Sequence, residues 1–181
     1  MESNVSAVTL KSPRYTKVAI ILHWTMALAM IALLLFGQQT MGSHQARLLP
    51  TIHASAGLAI VLLFAFRLFW RWKHPPPTTT VKSPWGAMGA KTAHIMLYAA
   101  MLLIPLTGWL AYTEHVRRSM GVRPASWFGF RIPLLPDFGI NWHFIHNWGG
   151  KLVLALIVIH AAAALKHHFY DQDDTLTLML P

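Results

Sequence analysis

Four long apolar runs, separated by polar, proline-rich or aromatic stretches, set the pattern of this chain; they cover residues 18–37, 51–70, 92–113 and 143–167. Each is about 20 residues or longer, enough for an α-helix to cross a hydrocarbon core roughly 30 Å thick. The first is too long for the apolar part of a signal peptide, and no small-x-small cleavage pattern follows it in Gln38-Gln39-Thr40, so it is expected to remain as a helix. Pro50 ends the next loop, and Thr51 is the expected N-cap of the second helix. Arg71-Trp72-Lys73-His74-Pro75-Pro76-Pro77 stops that helix, since successive prolines cannot continue one. Residues 71–91 therefore read as an extended basic loop. Pro105, near Gly108, predicts a kink in the third helix. Residues 114–142 form the longest connection, with Trp127-Phe128-Gly129-Phe130 expected at the membrane interface. The tail after Phe169 is acidic at Asp171, Asp173 and Asp174 and then mildly apolar. The pattern predicts one all-α integral membrane domain over 1–181, a four-transmembrane-helix bundle.

Composition agrees, with 55% hydrophobic and only 12% charged residues. The absence of cysteine excludes disulfides, cysteine-ligated iron–sulfur clusters and covalently attached c-type haem. A net charge of +9 raises the question of nucleic acid, but the basic residues lie between apolar runs and form no nucleic-acid motif, so no nucleic-acid partner is expected. They are better read as determinants of topology. With both termini on one side, nine lysines and arginines fall at the N-terminus, in 67–91 and at Lys166, against five at Arg47, Arg117, Arg118, Arg123 and Arg131. That excess predicts cytoplasmic termini, a cytoplasmic 71–91 loop and a periplasmic 114–142 loop.

Chemistry enters with histidines inside the apolar runs. His146 and His160 are fourteen residues apart, so on a helix they stand about 21 Å apart along the axis and only about 40° apart around it. A polar side chain at such depth faces the bundle interior. His23 enters the first helix from the same side on which the fourth ends near His160, and His53 enters the second from the side on which the fourth begins near His146. Four histidines on three helices thus fall into an inner pair, His23 with His160, and an outer pair, His53 with His146. Fourteen residues also lead from His23 to Gly37, from His53 to Arg67 and from His94 to Gly108. Gly37 and Gly108 would remove side chains at the outer level, with Gly57 and Gly150 adding clearance beside His53 and His146. Arg67 would supply a cation at the inner level.

Zinc takes a tetrahedral shell of nitrogen, sulfur and oxygen ligands. Each level here offers two opposed imidazoles and no Cys, Asp or Glu, which suits an iron whose equatorial positions are filled by a porphyrin. Such an iron has no open site and works by one-electron transfer.

Ile21-Leu22-His23-Trp24, Ile52-His53-Ala54-Ser55-Ala56-Gly57, Phe66-Arg67, Lys91-Thr92-Ala93-His94 and the segment from Ile145-His146 through Ile159-His160 to His167-His168 resemble the bacterial cytochrome b561 family. These are small four-helix di-haem cytochromes linked to quinone and related to the b subunits of nickel–iron hydrogenases and formate dehydrogenases. The resemblance implies a bacterial inner-membrane protein that encloses two b-type haems. It assigns an inner haem b to His23 and His160, an outer haem b to His53 and His146, and electron exchange to ubiquinone. Some members resemble superoxide oxidases, oxidoreductases that pass an electron from periplasmic superoxide through both haems to ubiquinone.

Secondary sites follow from position. Arg117, Arg118, Arg123 and Arg131 crowd the outer loop and could steer a small anion such as superoxide, against the plainer reading of contact with lipid headgroups. Lys166, His167, His168 and His94 gather at the inner end as candidates for a quinone pocket, against simple interfacial snorkelling. Lys151, the isolated cation of the fourth helix, is a candidate partner for an outer-haem propionate. His143 ranks behind His146 as outer ligand because it lies nearer the aqueous rim. His44, His74 and His115 fall in loops. Two rivals remain: the membrane anchor of a dehydrogenase or hydrogenase, which takes electrons from a partner redox protein, and a His-lined metal transporter, which calls for acidic residues inside the spans.

Overall fold

The computed structural model describes residues 14–37, 48–77, 84–118, 126–127, 130–131, 133–136 and 138–180. Four helices dominate it: α1 (Lys17–Phe36), α2 (Leu48–Lys73), α3 (Pro84–Arg118) and α4 (Trp142–Phe169). All four are long and apolar enough to cross a membrane. Two two-residue strands, β1 (Ser126–Trp127) and β2 (Phe130–Arg131), pair antiparallel in the α3–α4 connection and leave the all-helical class unchanged. His44 and Arg123 lie outside the described residues.

Local chemistry explains the helix ends. Thr16, in an extended conformation, caps α1 by accepting from the Ala19 N–H at 3.2 Å. The start of α4 is more fully satisfied, as a helix end in a poorly hydrated rim must be. Asn141 Oδ1 accepts from the Phe144 N–H at 2.9 Å, and Glu114 Oε2 accepts from the N–H groups of Trp142 and His143 at 3.0 and 3.4 Å.

Four expected boundaries move, among them the end of α2, which runs past Trp70 to Lys73. α2 begins at Leu48, so Thr51 lies inside it and is not its N-cap. Pro50 is tolerated there because the first N–H groups of a helix have no intrahelical partner. α3 begins at Pro84, where a missing N–H costs nothing, and not near residue 92; the loop between α2 and α3 is correspondingly shorter than 71–91. Gly86 and Gly89 weaken local helix propensity and hide this extension from a propensity reading. At its other end α3 continues past Thr113 to Arg118, so Glu114 and His115 are helical. The last turns are held by the Glu114–Arg118 pair one turn apart and by basic residues at the negative end of the helix dipole. At 35 residues α3 is about 52 Å long, so it projects beyond a hydrocarbon slab and lines both rims. It runs through Pro105 as one helix, with the Thr107 hydroxyl donating to the Ile104 carbonyl at 2.9 Å.

α3 packs on α4 over the longest stretch, α2 bridges α1 and α3, and α1 meets α4 at few positions. Met26, Ile60 and Thr113 are the most completely enclosed side chains. Large apolar side chains such as Ile21, Leu28, Phe36, Leu62, Phe69, Leu152 and Ile159 face outward, as expected of helices solvated by lipid. Beyond α4 the chain reverses and packs a short 3-10 turn, Thr177–Met179, against the start of α1: the Trp24 indole N–H donates to the Met179 carbonyl at 2.8 Å and Leu178 is buried.

Candidate functional site

The interior histidines come together at two levels of the bundle. At the end where α1 and α3 finish, the end expected to be the outer one, the rings of His53 and His146 lie 6.0 Å apart between centroids at 84° to one another. With metal–nitrogen bonds of about 2.0 Å, two imidazoles on opposite sides of one ion hold their centroids roughly 6.4 Å apart. The pair is thus close to ligand spacing.

Both rings are seated against glycine. A Cβ built on Gly37 would stand 2.7 Å from His53 Cε1, and one on Gly108 would stand 2.9 Å from His146 Cε1. Each is closer than a side chain is tolerated, so the two glycines make the room in which the rings sit. Gly57 opens onto free space and Gly150 lies against Leu34. The His146 Nδ1 lies 3.1 Å from the Ile104 carbonyl oxygen and 3.3 Å from the Thr107 hydroxyl. A carbonyl only accepts, so Nδ1 carries the hydrogen and Nε2 keeps its lone pair for a metal.

Three histidines meet at the inner end. The His94 and His160 rings are 5.4 Å apart, and His23 lies within electrostatic reach of both. His23 and His160 are half-buried, whereas His94 is exposed. Arg67 donates through Nη2 to His23 Nδ1 at 3.4 Å and through Nε to the Tyr98 hydroxyl at 3.3 Å, while its Nη1 is buried with no partner. A guanidinium only donates, so in this arrangement His23 Nδ1 accepts and Nε2 carries the hydrogen. Ligation through His23 Nε2 requires the other tautomer, and with it a shift of Arg67 onto an anion. The unpartnered Nη1 shows that the bonding of Arg67 is incomplete as it stands.

Beside Arg67 a cavity opens at the inner rim, lined by Trp70, Arg71, His74, Tyr98 and Met179 among others. Arg71 joins Arg67 over the Tyr98 ring. Sequence reasoning found Arg67 but not Tyr98 or Met179, since nothing in their spacing marks them.

The other expected site residues are placed less favourably. Lys166 is exposed and bonded through Nζ to both oxygens of Asp171, at 2.9 and 2.7 Å. His167 Nδ1 lies 2.8 Å from Asp173 Oδ2 and 3.0 Å from Asp171 Oδ2, so both residues serve the reversal of the tail. His168 is half-buried, edge-on to Phe169. Lys151 is exposed with its ammonium over the Trp148 ring at 4.7 Å; it snorkels along its own helix and is not drawn toward His146. His143 is exposed as well. At the outer rim Arg118 is paired with Glu114 at 2.9 Å and Arg117 donates to the Leu135 carbonyl at 3.0 Å; Arg131 lies in β2. Glu114 lies within α3, but it serves Arg118 and the start of α4 and is not an acid placed beside the histidines, as a metal transporter would call for.

The donor set therefore fits b-type haem at the outer level, where glycine cradles and the His146 tautomer agree; at the inner level His23, His94 and His160 gather near Arg67. Comparison with known proteins points the same way. A family described as prokaryotic cytochrome b561 matches residues 14–181. Cytochrome b561 homolog 2 of Escherichia coli (strain K12) is 32% identical over 182 residues, covering 92% of this chain and 91% of that one. Cytochrome b561 homolog 1 of the same organism is 31% identical over 93% of this chain and 97% of its own length. A protein of Yersinia pestis named probable superoxide oxidase CybB is 28% identical over 72% of this chain and 73% of its own.

Proposed function

Because the chain belongs to the prokaryotic cytochrome b561 family, integral membrane proteins that transfer electrons through b-type haem, we propose that it holds two haems b and works as a superoxide:ubiquinone oxidoreductase of the bacterial inner membrane. His53 and His146 hold the outer haem, and His23 and His160 the inner one. The observation that carries this reading is the outer pair, two imidazoles 6.0 Å apart with each ring backed by a glycine. Bound at the two levels, haem b supplies a one-electron couple near each face of the membrane.

The chain's own residues do the rest. Gly37 and Gly108 leave the room in which the His53 and His146 rings would hold the outer haem, and the Ile104 carbonyl fixes the His146 tautomer. Arg67 neutralises carboxylate charge at the inner level. His23 is preferred to His94 as inner ligand because it is half-buried beside Arg67, whereas the exposed His94 is placed to meet an exchangeable substrate. With His168 it hydrogen-bonds the quinone oxygens and hands over protons from the cytoplasmic side. The balance is two superoxide ions and two protons with one quinone, giving two dioxygen molecules and one quinol. Arg117, which donates to a neutral carbonyl, and Arg118, exposed beside its partner Glu114, support superoxide approach.

Purified protein exposed to enzymatically generated superoxide should show its haem bands reduced, and a soluble ubiquinone analogue should reoxidise them. His94→Ala and His168→Ala should slow reoxidation with both haems retained. Haem that stays oxidised under a superoxide flux, while dithionite reduces it fully, refutes the donor.

A further inference from the structure

Among the described residues, the buried side-chain polar atoms left without a hydrogen-bond partner are Arg67 Nη1 and Trp142 Nε1. A buried indole N–H ordinarily finds an acceptor, and one that lacks it calls for an explanation. Arg67 stands at the inner level, beside His23. Trp142 stands at the outer level: it is the first residue of α4, one helical turn outward from His146 on the same face.

The Glu114 and Ile140 acceptors that meet the start of α4 are already used. Both carboxylate oxygens of Glu114 are engaged, Oε1 by Arg118 and Oε2 by the backbone N–H groups of Trp142 and His143. The Ile140 carbonyl takes the Trp142 backbone N–H at 2.9 Å, and the ring of Phe138 meets the indole edge to face. The indole N–H is thus a donor held in place, enclosed, and short of an acceptor. A b-type haem carries two carboxylate arms on one edge, and Trp142, in the first turn of α4, lies on the side of His146 toward that helix's start, where an arm of a haem held by His146 would meet it.

We propose that the Trp142 indole N–H donates a hydrogen bond to a carboxylate arm of the haem held by His53 and His146, the outer counterpart of Arg67. This rests on the di-haem reading above. A donor to the carboxylate disperses its negative charge, which favours the ferrous form and raises the outer potential.

Redox titration of the purified holoprotein tests it. Trp142→Phe keeps an aromatic ring and deletes the N–H. It should retain both haems, lower the potential of one, leave the other unchanged, and shift one carboxylate-arm bending mode in resonance Raman spectra. Trp142→His, which restores a ring N–H, should bring the potential back toward wild type. In a His146→Ala background, which removes the outer haem, Trp142→Phe should have no effect on the remaining potential.

Unchanged potentials and Raman modes in Trp142→Phe overturn the proposal, as does a shift that persists without the outer haem. A variant that alters only the reaction with superoxide, at unchanged potentials, would assign the N–H to the substrate anion instead. Should Phe cost haem binding, Trp142→His and Trp142→Leu decide: equal potentials in the two sink the proposal. If His146→Ala keeps both haems, it is the wider di-haem reading that fails.

Discussion

A single methyl group is the finest probe of the outer site. The Cβ that Gly108 lacks would overlap His146 Cε1 at 2.9 Å, and the one Gly37 lacks would overlap His53 at 2.7 Å. Gly108→Leu should therefore push the ligand off its position and bring the haem-to-protein ratio toward one, with the second haem spectroscopically intact; pyridine haemochrome assay of the purified variant checks this. Arg67→Gln removes a cation beside His23 and should lower one midpoint potential. A charge-assisted hydrogen bond contributes about 1.5–3 kcal/mol, and for a one-electron couple roughly 60 mV corresponds to 1.4 kcal/mol, so a fall of about 60 mV or more is expected on redox titration. The histidines and their glycines were legible in the chain because depth follows from counting residues along a helix. Lys151 was not: one helix position fixes depth but leaves rotation open, and its ammonium lies over Trp148.

The junction between α3 and α4 fixes the start of the helix that carries His146. Glu114 is 10% exposed and bonds two N–H groups at the head of α4, whereas its partner Arg118 is 70% exposed. The two should not be equivalent. Glu114→Ala strips acceptors from a helix start and should cost about 1–2 kcal/mol, seen as a lower melting temperature in detergent. Arg118→Ala removes a solvated ion pair, worth at most about 1 kcal/mol, and should leave the melting temperature nearly unchanged. The four helices themselves follow from apolar run length, but their ends do not. Residues 84–91 and 114–118 are too polar or glycine-rich to announce a helix, and they fold as one because α3 is propagated from its apolar centre and pinned at Glu114.

At the scale of the molecule, the tail closes the inner end of the bundle onto α1. Partial burial of Asp173 opposes its ionisation, but hydrogen bonds from the Thr175 hydroxyl and N–H and from His167 outweigh this and hold its acidity below the ordinary carboxylate value. A carboxylate whose folded pKa is depressed stabilises the fold above its unfolded value, about 3.9, and that stability fades as pH falls through the folded value. Tail docking should hold at neutral pH and weaken below about pH 4. Asp173→Asn should loosen it already at pH 7, read as faster amide exchange over residues 174–180. The reversal was not legible, because it depends on the Gln172 backbone at φ 50° and on Trp24 bonding Met179 across the whole length of the chain.

The central claim is that two pairs of histidines each hold one haem. It is tested most directly by the haem-to-protein ratio of the purified wild type and of the His23→Ala, His53→Ala, His146→Ala and His160→Ala variants. Two haems in the wild type are expected, with each variant losing one and the inner and outer variants losing different ones by spectrum. A wild type without haem, or two haems retained when any of these histidines is replaced, contradicts it.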